Sequence, residues 1–84
     1  MLSLSSIKNK CVGLNQSLKC LAEGRASKVY LAADADMKIK SQIQNLCAHM
    51  GVEIEPAPTM KDLGQAVGIN VGSAVVTILK ENAD

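Results

Sequence analysis

The chain is almost without aromatic residues: Tyr30 stands alone among its 84 positions, with no Phe and no Trp. Single-strand RNA readers built on sheets, oligonucleotide-binding barrels and cold-shock domains stack bases on several aromatic rings, so this chain cannot provide such a platform. It also lacks a charge excess. Nine Lys and Arg against eight Asp and Glu give a net charge of +1, which argues against non-specific coating of nucleic acid but leaves room for a compact site. Cys11, Cys20 and Cys47 make an odd count without a C-x-x-C pair, which excludes a disulfide framework or zinc knuckle and fits a reduced setting. No segment reaches membrane-spanning length, and MLSLSSIKNK lacks the basic start and long apolar run of a signal peptide. The expectation is a cytoplasmic protein.

What is present is enough to fold. With 48% hydrophobic and 20% charged residues, the chain can build one core from Leu, Ile, Val, Ala and Met, and its length suits one domain over residues 1–84. Apolar periodicity alternates between that of strands and that of helices, which predicts an α/β class. Strands are expected at Lys10 to Gly13, Ser27 to Ala33 (buried on both faces), Gly51 to Glu55 and Ser73 to Leu79. Helices are expected from about Asn15 to Glu23, Lys38 to Met50, and near Thr59 to a stop at Gly68. In the first, Asn15 serves as N-cap and Gly24 as terminator. Its apolar Leu14, Leu18, Leu21 and Ala22 fall within an arc of about 100°.

Catalysis finds little support. His49, the only histidine, has no Cys or carboxylate at ligand spacing and suits the last turn of a helix. Asp34 and Asp36 resemble a carboxylate pair after a strand, yet without a third ligand or a base they read as turn formers and caps. Gly64, Gly68 and Gly72 match no phosphate-cradling motif. Cys20 and Cys47 read as small core residues. No enzyme activity, cofactor or metal is expected.

The informative stretch is Gly13-Leu14-Asn15-Gln16-Ser17-Leu18-Lys19, a strand end leading into a helix N-terminus. Free N–H groups and the helix dipole attract phosphate there, while Asn and Gln amides can pair with base edges. A self-capped, solvated helix has the same pattern, so the residues alone leave both readings open.

Beyond that stretch, V-G-L-N-Q-S-L-K-C-L-A-E-G-R-A-S-K-V-Y-L-A-A-D-A-D (residues 12–36), L-C at 46–47, M-K-D-L-G-Q-A-V-G-I-N-V-G (60–72) and A-V-V-T-I-L (74–79) run in order. Together they closely resemble bacterial members of the L-seven-Ae ribosomal protein family, over nearly all of the chain after Lys10. The resemblance implies a three-layer α/β/α sandwich about a four-stranded mixed sheet. It also implies binding to kink-turn RNA, an internal loop whose three-nucleotide bulge bends the axis beside tandem sheared G·A pairs. On this resemblance Gly13, Asn15 and Gln16 fall at the start of the helix that enters the major groove at those pairs. Lys19 matches a signature lysine near the sheared guanines, and Lys28 a basic residue that approaches phosphate. Ile69, Asn70, Val71, Gly72 and Ser73 match a loop that packs apolar groups on an extruded bulge nucleotide. Gln16 replaces the signature glutamate, as is common in bacterial members; Ala33 and Met37 stand where Glu and Pro are frequent. The expected partner is thus kink-turn RNA, ribosomal or regulatory, with the ribosome as a further possible partner and a monomeric chain. No DNA or membrane partner is expected. A protein-interaction adaptor using the same fold and apolar loop is the alternative.

Overall fold

The computed structural model describes Leu4 and residues 7–80. Its elements are β1 (Lys10–Val12), α1 (Leu14–Ala22), β2 (Ala26–Ala32), α2 (Met37–Met50), β3 (Glu53–Ala57), α3 (Met60–Ala66) and β4 (Val75–Leu79). The strands form one sheet in the order β1-β4-β2-β3. β2 and β3 run parallel, which requires a crossover, and α2 supplies it. β4 runs antiparallel to β1 and β2, so the sheet is mixed.

Side-chain alternation along the strands builds the two outer layers. Val29, Leu31 and Val75 pack with Leu21, Ile43 and Cys47 of α1 and α2. On the opposite face, Tyr30, Ala32, Ala57 and Val76 pack with Leu63, Ala66 and Val67, under α3 and Leu4. This is the α/β/α sandwich expected. Leu21, Ile43 and Leu63 are wholly buried, each contributing about 1.5–3 kcal/mol by area. Ala, Val and Cys fill the remaining space, which is how a core without Phe or Trp closes.

Several local expectations shift. The N-cap of α1 is Gly13, and Asn15 lies inside the first turn. The buried stripe of α1 is Ser17, Cys20 and Leu21, while Ala22 is exposed. The buried side is turned from the apolar arc toward Ser17 and Cys20, while Leu14 and Leu18 remain partly buried against the same cluster. β3 continues through Pro56 and Ala57, past its expected end at Glu55. It is an edge strand, where a missing N–H is tolerated. β4 begins at Val75 because Ser73 is held in the preceding turn.

The polar residues weighed for catalysis do structural work. Asp36 caps α2 by accepting from the Lys38 N–H at 2.8 Å, and His49 is exposed in the last turn of that helix. Cys20 and Cys47 are buried and free, and Cys11 is half-buried and free. Among the described residues, no helix is long and apolar enough to cross a membrane.

Candidate nucleic-acid interface

The N-terminus of α1 is bare. Gly13 has φ 99° and ψ 166°, and no side chain caps the helix. A Cβ at this glycine would meet only open space, so the backbone angle, not crowding, calls for glycine. Its N–H donates to the Val75 carbonyl at 3.0 Å, and its own carbonyl accepts the Ser17 N–H at 3.1 Å. The strand-to-helix turn is thereby fixed to β4. Asn15 and Gln16 stand exposed on the first turn, their amides not engaged in capping. Such a terminus presents N–H donors and a positive dipole end. Lys19, four residues after Asn15 and therefore on the same side, is also exposed.

The loop from Ile69 to Ser73 is shaped by α3. The Ile69 N–H donates to the Gly64 carbonyl at 3.0 Å and the Gly68 N–H to the Gln65 carbonyl at 3.1 Å, which is a Schellman ending. The chain then folds back along α3. The Val71 carbonyl occupies the space a side chain on Gly64 would need. A Cβ on Gly72 would lie 3.2 Å from Met60 Cβ, and the Ser73 N–H donates to the Met60 carbonyl at 3.0 Å. Ile69 packs half-buried on the α3-side core, whereas Asn70, Val71 and Gly72 are exposed.

These two features meet at one atom. The Val75 carbonyl accepts from the Gly13 N–H and also from Ser73 Oγ, each at 3.0 Å, using both of its lone pairs. The Ala32 N–H donates to the Ala74 carbonyl at 2.9 Å and closes the same corner. Gly13, Asn15 and Gln16 are thus gathered with Ile69–Ser73 at one end of the sheet, although more than fifty residues separate them in sequence.

Lys28 is the exception. Leu31 is the β2 residue opposite Val75, and Lys28 lies three residues earlier, about 10 Å away along the strand. It belongs to the α3-side face with Tyr30, while α1 covers the other. Its Nζ is 3.4 Å from Glu55 Oε1 and 5.5 Å from the centre of the Tyr30 ring. The hydrogen bond to Glu55 pushes the lysine pKa up, so it remains charged.

The site end also holds contacts that the sequence does not show, one of them made by Asp34, expected there as a turn former or cap. Asp34 Oδ1 accepts the Met60 N–H at 2.7 Å, so the turn after β2 caps α3. Sequence spacing gives no sign of this, since the two residues are 26 positions apart. Lys40 Nζ donates to the Ala33 carbonyl at 3.0 Å beside that turn. Lys38 and Lys61, exposed in the first turns of α2 and α3, add positive charge. Among the described residues, no group of three His, Cys, Asp or Glu side chains gathers as a metal site.

A mixed-sheet α/β/α sandwich presenting a bare helix N-terminus beside a glycine-bearing loop is the class of protein this geometry defines. Residues 3–84 match the model of the Ribosomal protein L7Ae/L30e/S12e/Gadd45 family, and the chain belongs to that family. Among similar proteins, an RNA-binding protein of Geobacillus thermodenitrificans is 38% identical over 69 residues, covering 82% of this chain and 84% of its own length. RNA-binding protein YbxF of Geobacillus stearothermophilus is 36% identical with the same coverage. Among solved structures, the Giardia lamblia 15.5kD RNA binding protein superposes with a TM-score of 0.84 at 31% identity, over 94% of this chain and 67% of that one.

Proposed function

We propose that this protein is a non-enzymatic RNA-binding protein that recognises kink turns in ribosomal or regulatory RNA. The observation that carries the reading is the convergence of Gly13 and Ser73 on the Val75 carbonyl, in a family whose relatives here are named as RNA-binding. The anchor fixes the bare helix end and the exposed loop relative to each other. A rigid pair of this kind suits a folded target with fixed geometry better than a flexible single strand.

In this reading Asn15 and Gln16 pair with the edges of the sheared G·A bases, while the Gly13 turn lets the backbone approach closely. Lys19 neutralises nearby phosphate, and the loop from Ile69 through Asn70 and Val71 to Gly72 covers the extruded nucleotide, with Ser73, expected to contact RNA but buried, anchoring it from beneath. Its apolar contact replaces the aromatic stacking that a chain with a single Tyr cannot supply. Lys28, away from this corner, contacts a flanking backbone phosphate. Lys19 and Lys28 each neutralise about one phosphate, so binding weakens as salt rises. The protein acts as a cytoplasmic monomer.

The reading is tested by combining Asn15→Ala with Gln16→Ala and measuring anisotropy with a kink-turn RNA. Loss of base-edge pairing, about 1–3 kcal/mol per bidentate contact, should weaken specific binding at least tenfold. A protein adaptor that uses only the loop would instead tolerate both substitutions in binding its partner.

A further inference from the structure

The exposed large apolar side chains among the described residues are Met37, Met60 and Val71, at 77%, 36% and 70% exposure. All three stand at the site end. Met37 opens α2 directly after the Asp34–Asp36 turn, Met60 opens α3 with its N–H on Asp34, and Val71 lies against Gly64. Two of the three carry thioethers. Met50, by contrast, is half-buried at the far end of α2, its methyl 3.8 Å from where a Cβ on Gly24 would be.

The thiols are poor competitors for an oxidant. Cys20 and Cys47 are buried. Burial, with Cys20 alongside, pushes the Cys11 thiol up to about 11, and burial also raises Cys47. Thiolate, the reactive form, is therefore scarce near neutral pH. A thioether needs no deprotonation to react, so the exposed methionines are oxidised first.

We propose that Met37 and Met60 make RNA binding by this protein responsive to peroxide. One oxygen atom passes from the peroxide to each sulfur. The sulfur lone pair supplies the two electrons, the O–O bond breaks, and the products are methionine sulfoxide and water. Sulfoxide turns a flexible apolar side chain into a polar one. At Met60 the change falls on the residue that abuts Gly72 and holds Ser73, and at Met37 on the exposed first residue of α2, next to the turn whose Asp34 holds the Met60 N–H. The inference rests on the RNA-binding reading of this end.

The test compares RNA affinity before and after hydrogen peroxide, with sulfoxide at each methionine followed by peptide mass. The parent should bind a kink-turn RNA roughly three- to tenfold more weakly once Met37 and Met60 are oxidised, the scale of a polar group set into an apolar contact. Sulfoxide reductase with a dithiol, which takes up the oxygen as water, should restore it. Met37→Leu with Met60→Leu should abolish the before-to-after ratio, whereas Met50→Leu should leave it as in the parent. Bound RNA should also slow sulfoxide formation at Met37 and Met60 but not at Met50. An unchanged affinity with both methionines oxidised, or an equal ratio in the double Leu variant, overturns the proposal while leaving RNA recognition standing. Failure of the untreated parent to bind the RNA overturns both.

Discussion

The Asp34 carboxylate accepts the backbone N–H of Met60 at 2.7 Å, tying the turn after β2 to the first residue of α3. Because the Met60 carbonyl in turn holds Ser73, a single acceptor supports the loop that flanks the helix N-terminus. Asp34→Ala should therefore cost about 1 kcal/mol of stability, the usual size of a lost helix cap, and should also weaken RNA binding. Asp34→Asn keeps an oxygen acceptor and should lose less in both. Urea unfolding and RNA titration of the three proteins check this; equal stability of the Ala variant and the parent would show the contact to be unimportant.

Gly64 carries the second support. A methyl group there would collide with the Val71 carbonyl, and backbone cannot rotate away as a side chain can. Gly64→Ala should destabilise by about 1–3 kcal/mol and displace the loop, so that RNA affinity falls even at temperatures where the variant is fully folded. Circular dichroism melts with titrations below the transition measure both effects. Parent-like affinity in the folded variant would mean that the loop does not contact RNA.

Lys28 separates two ways of contributing charge. If it contacts a flanking phosphate, Lys28→Ala should reduce the slope of log affinity against log salt by about one and weaken all RNAs alike. If its positive charge serves only Glu55 and Tyr30, the slope will not move. Titrations of kink-turn and plain-duplex RNA over a salt series distinguish the outcomes.

A pH effect follows from Cys11. Its pKa is raised from an ordinary 9.0 to about 11, first by burial and then by the neighbouring Cys20 thiol. The folded state thus holds this proton more tightly than the unfolded chain. The resulting stabilisation is whole below about pH 9 and is lost as pH rises through the window from 9 to 11. Under reducing conditions, the stability difference between parent and Cys11→Ala should accordingly shrink from pH 7 to pH 10.5. A difference that stays constant would contradict the assignment.

The alternation of periods made the α/β class legible, the family resemblance implied the sandwich, and terminal glycines such as Gly51 and Gly68 marked where helices stop. Asp34 and Asp36 were legible as turn and cap residues, though only for the cap within reach along the chain. The cap that Asp34 gives to Met60 depends on the sheet bringing two turns together, and no local pattern encodes it. Likewise Asn15, Gln16 and the loop from Ile69 could be named from sequence, but their meeting on the Val75 carbonyl depends on β4 lying between β1 and β2. The turn of α1 onto Ser17 and Cys20 escaped because a hydrophobicity pattern gives little weight to small side chains such as these. Lys28 shows the converse. A basic residue at a family position folds onto the α3-side face beside an acidic partner, and only three-dimensional placement separates it from the helix terminus.

Discrimination between a kink-turn RNA and the same RNA with its sheared G·A pairs replaced by Watson–Crick pairs bears most directly on the proposed function. In a gel shift at fixed salt, the kink turn should be retarded at protein concentrations at least tenfold lower than the control. Equal retardation of both RNAs, or of neither, would contradict recognition of the kink turn by the α1 terminus and the Ile69–Ser73 loop.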